Sequence, residues 1–141
     1  MPLPRLTDKI LASSKPIEPG WSLIELTDIR SSSAKSGDGT NYFFDFEGVA
    51  GPNSSEDNKG RSVTLMISGK ALDAGVAEVC ANYSGILCAL TNCSESEVSN
   101  VELDENLLKG KKCWADIQKR VQDGKTYSDF KAFSPATEIP F

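Results

Sequence analysis

The fold is decided by residues 110–133, which read GKKCWADIQKRVQDGKTYSDFKAF. Two runs of alternating residues meet at Asp123-Gly124, a pair that favours the tight turn between antiparallel strands. The sequence therefore predicts a β-hairpin whose turn lies at residues 122–125. Alternation gives the hairpin one apolar face that suits a core, formed by Cys113, Ala115, Ile117, Phe130 and Ala132.

The opposite face of the predicted hairpin combines aromatic rings with cations. Its members include Lys112, Trp114, Arg120, Tyr127, Lys131 and Phe133. A groove for single-stranded nucleic acid needs this combination, because bases stack on rings while phosphates meet Lys and Arg. Aromatic and long side chains also suit the exposed side of any half-buried sheet, so the hairpin alone leaves the function open.

Length and composition favour a single soluble domain. The chain has 141 residues, of which 39% are hydrophobic and 25% charged, and this length is sufficient for a genuine core. No apolar run approaches the roughly 20 residues of a membrane span, and residues 1–14 lack the apolar core of a secretory signal. We therefore expect a cytoplasmic protein with no membrane association.

The residue types present argue against metal chemistry and against catalysis. The four cysteines form no C-x-x-C pair and the chain has no histidine, so we expect free thiols, no metal site and no cofactor. Without histidine the commonest general base is missing, and no Ser/His or Cys/His pair can form. We expect a protein that is not an enzyme.

The distribution of charge matters more than the net charge of −5. Residues 109–125 carry six basic and two acidic side chains, a local charge of +4, and the rest of the chain carries −9. A polyanion could therefore be held on the hairpin side only, and weakly. The acidic connector at residues 94–105 would repel DNA.

Three strand patterns precede the hairpin, at residues 21–29, 40–49 and 61–67. Loops rich in Ser, Gly and Asp separate the first from the second, and the second from the third. In the second strand, Tyr42, Phe44 and Phe46 share one face and are expected in the core. Phe43 lies on the other face between polar neighbours, where it is either a stacking platform or a ring covered by a loop.

Between residues 68 and 90 the apolar residues recur at helical spacing, with a predicted break at Ser84-Gly85. The order of elements is therefore three strands, a helix and two strands. This is the order of the OB-fold, a five-stranded, partly open Greek-key barrel that binds oligonucleotides. We predict a mainly β chain with a helix between strands three and four. It divides into an N-terminal arm at residues 1–19, an OB-fold domain at 20–133 and a C-terminal tail at 134–141.

Four short motifs lie in order along this predicted barrel. They are K-S-G-x-G at residues 35–39, K-G-R at 59–61, L-x-G-K at 108–111 and D-G-K-x-Y at 123–127. Together, over roughly residues 20–135, the chain resembles phage single-stranded DNA-binding proteins with an OB-fold. The resemblance implies a non-enzymatic protein that coats single-stranded DNA during replication, recombination or repair in the cytoplasm of a bacterial host.

The last four residues, Glu138-Ile139-Pro140-Phe141, are similar to the tip of the acidic tail of bacterial single-stranded DNA-binding proteins. In that family the terminal Pro-Phe and its carboxylate dock into pockets on replication and repair enzymes. Here Glu138 is the one acid of the tip, Ser134-Pro135-Ala136 stands in place of aspartates, and the long flexible linker is missing. The resemblance implies host replication or repair proteins as partners, and we expect the tail to project from the barrel.

The predicted nucleic-acid site combines aromatic stacking platforms with phosphate-binding cations. The stacking platforms are Trp114, Tyr127 and Phe43. The phosphate-binding cations are Lys112, Arg120, Lys125 and Lys131, with Arg61 and Lys35 lining the same groove. We expect the groove to be tolerant of sequence, because stacking and phosphate contacts do not read base edges.

Two other functions stay open at this point. One is a protein-interaction adaptor that binds host replication proteins through the tail, which the charge of −9 outside the hairpin favours. The other is a binder of RNA or oligosaccharide, because OB-folds host both activities. An oligomer is compatible with the sequence, which does not fix the oligomeric state.

Overall fold

The computed structural model describes residues 1–13, 15–33, 39–52 and 55–141. Its elements in chain order are α1 (Asp8–Ser13), β1 (Gly20–Ser33), β2 (Thr40–Ala50), β3 (Ser62–Ser68), α2 (Gly69–Asp73), α3 (Ala77–Thr91), α4 (Glu95–Ser99), α5 (Glu105–Leu108), β4 (Lys112–Gln122) and β5 (Lys125–Pro135). Within these residues, no helix combines the length and the apolar character needed to cross a membrane.

The five strands form one antiparallel sheet in the order β3-β2-β1-β4-β5. Register shifts in the β1–β2 ladder, between Leu23 and Ile24 and between Leu26 and Asp28, bend these long strands. The two edge strands, β3 and β5, come close to each other without forming a ladder in the described residues. A mainly β chain of five antiparallel strands, with the long helix between strands three and four, is confirmed.

The core lies where the alternating pattern of each strand meets helix α3. Phe44 and Phe46 of β2 and the inward residues of β3 are buried, as their alternation predicts. On β4 the inward residues Cys113, Ala115 and Ile117 are completely buried. Tyr42 was expected beside Phe44 and Phe46, but it is 38% exposed because it lies near the start of β2, against Gly69 of α2.

Helix α3 continues through Gly85, where the sequence predicts a break. A Cβ atom at Gly85 would lie 2.7 Å from Cδ2 of Phe133, closer than a methyl group can come to a ring. The glycine therefore serves close packing between α3 and β5. The buried face of α3 then completes the core with Ile86, Leu87, Ala89 and Leu90.

A β-bulge in β5 turns Phe133 towards the core, opposite to its expected side. Asp116 pairs with Ala132 and the next residue, Ile117, pairs with Phe130, so Lys131 has no partner on β4. The extra residue shifts the alternation, and Phe133 becomes the partner of the buried Ala115. Its ring stacks on that of Phe130, with 5.8 Å between centroids and 17° between planes.

The end of the predicted N-terminal arm contributes to the core. Ile17 is fully buried, and Pro16 forms an isolated parallel bridge with Ser62 at the start of β3. The buried amide of Asn58 accepts the N–H of Glu18 at 2.8 Å and donates to the Glu18 carbonyl at 3.2 Å. The same amide donates to the hydroxyl of Ser22 at 2.6 Å, which ties this segment to β1.

Candidate nucleic-acid interface

A cation, a ring and a carboxylate meet on the outer side of strands β1 and β2. Arg30 is the cross-strand partner of Phe43, and its guanidinium carbon lies 5.0 Å from the centre of that ring. The same guanidinium donates two hydrogen bonds to Asp45, from Nε to Oδ2 at 2.6 Å and from Nη2 to Oδ1 at 2.9 Å. The hydroxyl of Thr64 on β3 adds a third hydrogen bond to Asp45, at 2.7 Å.

The Arg30 pair perturbs both ionisable groups in the expected direction. Hydrogen bonding from Arg30 holds the pKa of Asp45 below its ordinary value, against a smaller opposing effect of partial burial. The same bond raises the pKa of Arg30. The carboxylate and the guanidinium therefore stay charged together at neutral pH.

The β4–β5 hairpin carries a second arrangement of the same kind. Arg120 is the cross-strand partner of Tyr127, and its guanidinium carbon lies 4.8 Å from the centre of that ring. Its Nε donates to Oδ2 of Asp129 at 3.0 Å, and its Nη1 donates to Oε1 of Gln122. We call these two arrangements, Arg30–Phe43–Asp45 and Arg120–Tyr127–Asp129, the two arginine–ring–aspartate units.

The two units share one geometric cause. In each, the aromatic residue and the aspartate are two positions apart on one strand and so face the same side. The arginine stands opposite the ring on the antiparallel neighbour, where a long side chain also reaches the diagonal position. Both units therefore follow from strand pairing with no help from a loop.

An open cleft of about 670 Å³ separates the edge of β3 from the hairpin. Met66 of β3 is 54% exposed and lines one wall, and Tyr127 is 42% exposed and lines the other. Met66 is also the cross-strand partner of Phe43. An outward-facing row of Arg30, Phe43 and Met66 thus leads across the sheet to the cleft, and Tyr127 and Arg120 stand beyond it.

The charged side chains that line the cleft are one cation and two carboxylates, so the lining is weakly acidic, with a net charge of −1. Arg120 and Asp129 both line it, and α3 adds Glu78 and the amide of Asn82. Thr64, which also lines it, is bonded to Asp45. Binding of a polyanion here would depend on stacking and on local exchange of ion pairs more than on a broad positive field.

The structure brings three of the predicted site residues to this region. Tyr127 and Arg120 line the cleft, and Phe43 reaches it through Met66. Phe43 is half-buried, and the side chain over its ring is Arg30. Lys125 lies exposed at the hairpin turn beside them.

The other predicted cations lie apart from the cleft or make other contacts. Lys112 is eight residues from Arg120, roughly 26 Å along β4 at the rise of a strand, and its Nζ lies 3.9 Å from Glu25. Arg61 donates to the Pro16 carbonyl and to the Glu18 carboxylate, both at 3.2 Å, and its side chain is only 19% exposed. Lys131 is exposed in the bulge, and Lys35 lies outside the described residues.

Trp114 is buried, and the prediction that its ring is an exposed platform is wrong. Its side chain does point away from the core, but it is only 3% exposed, and the ring of Phe141 packs against it. The ring centroids are 5.2 Å apart and the planes meet at 83°. The indole N–H of Trp114 has no hydrogen-bond partner among the described residues.

The C-terminal tail folds back instead of projecting. The Glu138 N–H donates to the Pro135 carbonyl at 3.0 Å, and the Ser134 hydroxyl donates to the Glu138 carbonyl at 2.9 Å. This turn returns the last residues to the outer side of β4, where Phe141 stays 49% exposed and Ile139 60% exposed. Binding of the tail to a protein partner stays a prediction.

Sequence reasoning missed Arg30, Asp45, Met66 and Asp129. Their arrangement depends on which residues are cross-strand partners. The register between strands that are distant in the chain cannot be predicted from a single sequence. One signal was present, because Phe43-Phe44-Asp45 and Tyr127-Ser128-Asp129 have the same aromatic-x-Asp pattern on two predicted strands.

Comparisons of this chain with protein-family models and with curated proteins show no relative. None of the protein-family models that were scanned matches it, and a search of curated proteins gives no significant match. The function therefore has to be inferred from the chain's own geometry.

Proposed function

We propose that this chain is a non-enzymatic protein that binds single-stranded DNA in the cleft between β3 and the β4–β5 hairpin. The observation that carries the proposal is the pair of arginine–ring–aspartate units, of which one lines the cleft and the other lies on the outer sheet surface beside its β3 wall. The order β3-β2-β1-β4-β5, the approach of the edge strands and the position of α3 support a Greek-key barrel of the OB-fold type. In that fold, oligonucleotides lie across the face formed by strands two and three.

The two kinds of contact in the cleft suit a single strand. Tyr127 and Met66 offer apolar surface on which unpaired bases can stack, and the stacking of a base does not depend on its identity. Arg120, Arg30 and Lys125 offer guanidinium and ammonium groups for the phosphates. A duplex hides its base faces, so we expect the single strand to bind more tightly.

The experiment is a titration of fluorescein-labelled oligo-dT with the full chain, followed by anisotropy at several salt concentrations. Contacts to about three cations predict that log affinity falls against log salt with a slope of about −2, at about −0.7 for each phosphate. A duplex of equal length and an oligo-rU of equal length are the comparisons. Tighter binding to duplex, or no binding to any of the three, would overturn the proposal, and tighter binding to oligo-rU would assign the cleft to RNA.

One observation favours a second function, that of an adaptor for host replication or repair proteins. The tip of the tail presents Ile139 and half of Phe141 at the surface, so an apolar slot on a partner could capture them. A partner that takes the Phe141 ring must first lift it from Trp114. The matched test compares the full chain with a variant lacking Phe141 for binding to a bacterial repair enzyme that recognises Pro-Phe tips. Equal binding by both would exclude this role for the tail.

A further inference from the structure

One arginine–ring–aspartate unit, that of Arg120, lines the cleft, and the other lies on the outer sheet surface beside the β3 wall of the cleft. The two units share one geometry. In both, the arginine Nε donates to Oδ2 of the aspartate, at 2.6 Å in one unit and 3.0 Å in the other. In both, the guanidinium lies over the ring that stands opposite it, at 5.0 and 4.8 Å. A single ion pair on a sheet surface is common, but the same three-residue geometry in the cleft and again beside its β3 wall points to a shared role.

Carboxylate and phosphate oxygens compete for the same face of a guanidinium. Both anions accept two parallel N–H bonds from its planar fork, which is why arginine recognises either of them. Asp45 takes both bonds from Arg30, whereas the fork of Arg120 is divided between Asp129 and the amide oxygen of Gln122. Arg30 is thus already bonded to one anion by two N–H groups, as a phosphate would bond it, and Arg120 gives one of its N–H groups to a carboxylate.

The ion pairs are accessible to an incoming strand. The side chains of Arg30 and Arg120 are 54% and 46% exposed, and those of Asp45 and Asp129 are 23% and 28% exposed. Ion pairs with this exposure contribute little to the stability of a fold, because water and salt screen them. Exchanging one anion for another therefore disturbs the barrel little.

We propose that Asp45 and Asp129 occupy the positions of two phosphates, and that binding of a single strand exchanges each carboxylate for a phosphodiester. This inference rests on the proposed function and adds the phosphate sites and their internal competitors. The guanidinium stays on its ring during the exchange, so the ring continues to hold it in place. Thr64, which already donates to Asp45, can retain the displaced carboxylate.

The proposal predicts opposite effects for the two members of each pair. After the exchange, each displaced carboxylate lies close to a phosphate and repels it, so the aspartates lower affinity and the arginines raise it. Removing one such repulsion at about 4 Å in water should tighten binding by about five-fold. If the pairs only hold the arginines in position, Asp45→Asn and Asp129→Asn must weaken binding, as Arg30→Ala and Arg120→Ala do.

The experiment measures oligo-dT affinity by anisotropy for wild type, Asp45→Asn, Asp129→Asn, the double variant, Arg30→Ala and Arg120→Ala. The matched control is Glu105→Gln, which makes the same change in net charge at an ion pair with Lys109 on α5, outside the cleft lining. We expect about five-fold tighter binding for each aspartate variant, less than two-fold for the control, and weaker binding for both arginine variants. Thermal unfolding confirms that each variant is folded, and if Asp45→Asn is not, Asp129→Asn in the peripheral hairpin decides the question.

The outcomes separate this inference from the function on which it rests. If wild type binds oligo-dT and the aspartate variants bind equally or more weakly, the phosphate-exchange inference is wrong and the proposed function stands. If Glu105→Gln tightens binding as much as the aspartate variants do, the effect is one of net charge and the inference is also wrong. If wild type binds no oligo-dT at all, both fall.

Discussion

The ring of Phe141 meets the indole of Trp114 edge to face, with 5.2 Å between centroids. Trp114 lies in β4, the first strand of the hairpin that alternation predicts, and Phe141 is the last residue of the chain. Their contact closes the outer surface of β4 near its start. It also makes the tail part of the folded domain, so a tail that binds a partner must leave this surface first.

Removing the Phe141 ring should uncover Trp114. We expect Phe141→Ala to shift the tryptophan emission to longer wavelength and to increase quenching by acrylamide, because water then reaches the indole. The loss of one half-exposed aromatic pair should lower the free energy of unfolding by about 1 kcal/mol. Ile139→Ala is the control, since Ile139 is 60% exposed in the same tail. Equal spectra for the wild type and Phe141→Ala would contradict the contact.

Trp114 itself should matter for stability more than for binding. Its ring is 3% exposed, and Trp114→Ala should lower the free energy of unfolding by about 3–5 kcal/mol, as expected for the loss of a large buried ring. Urea denaturation monitored by circular dichroism measures this change. A folded Trp114→Ala variant of wild-type stability that binds oligo-dT poorly would restore Trp114 as a stacking platform.

Tyr127 is the ring that should act in binding. We expect Tyr127→Ala to weaken oligo-dT binding by about 1–3 kcal/mol, the usual loss for one stacking platform. Val121→Ala is the matched control, because Val121 is 73% exposed on the same hairpin and does not line the cleft. If both variants lose the same affinity, the hairpin acts as a whole and Tyr127 has no special place in it.

Gly85 should tolerate no side chain while Phe133 is present. A Cβ at 2.7 Å from the ring forces helix α3 or strand β5 to move, and we expect Gly85→Ala to destabilise the fold by about 1–3 kcal/mol. The helix propensity of alanine acts in the opposite direction and makes this a lower bound on the clash. In the double variant with Phe133→Leu, the penalty of Gly85→Ala should shrink. An undiminished penalty in that background would place the clash elsewhere.

The buried thiol of Cys113 predicts loss of stability in alkali. Burial raises its pKa to about 12, from 9.0 for an exposed thiol. The unfolded chain therefore releases this proton near pH 9 while the folded chain keeps it, so the contribution is complete below pH 9 and declines as the pH rises towards 12. The expected decline is about 1.4 kcal/mol for each pH unit in that window.

Urea titrations at pH 8 and pH 10.5 measure this effect, with Cys113→Ala as the reference. The variant loses packing at both pH values, but it lacks the thiol, so its stability should fall less between them. Other groups that titrate in alkali, including Tyr83, whose pKa is raised mainly by burial, are present in both proteins and cancel. Equal slopes for the two proteins would show that Cys113 is solvated.

The faces of the strands could be predicted because burial depends on strict alternation. Cys113, Ala115 and Ile117 are buried as expected, and Trp114 does lie on the opposite side of β4. Alternation says which way a side chain points but not what covers it, so the contact of Phe141 could not be foreseen.

Prediction failed at the level of pairing. The bulge at Lys131 has no Gly or Pro to mark it, and it reversed the orientation of Phe133. Arg30 looked like the first residue of a loop because the apolar pattern ends at Ile29. In the structure, β1 continues beyond that pattern to Ser33. Its contact with Phe43 depends on the long β1–β2 ladder, which tertiary pairing extends past the point where hydrophobic burial stops.

The unpaired Lys131 also restricts how this gene can change in length. Deleting its codon would remove the bulge and leave Ala132 opposite Asp116 and Phe133 opposite Ala115, so Phe133 would still face helix α3. Losing Ala132 as well would exchange the sides of residues 133 to 135 and carry Phe133 to water. Beyond the bulge, towards the turn, residues could be gained or lost in cross-strand pairs, two pairs at a time, without reversing any face. The bulge thus separates an inner part of the hairpin, whose length is fixed by the core, from an outer part whose reach into the cleft is free to vary.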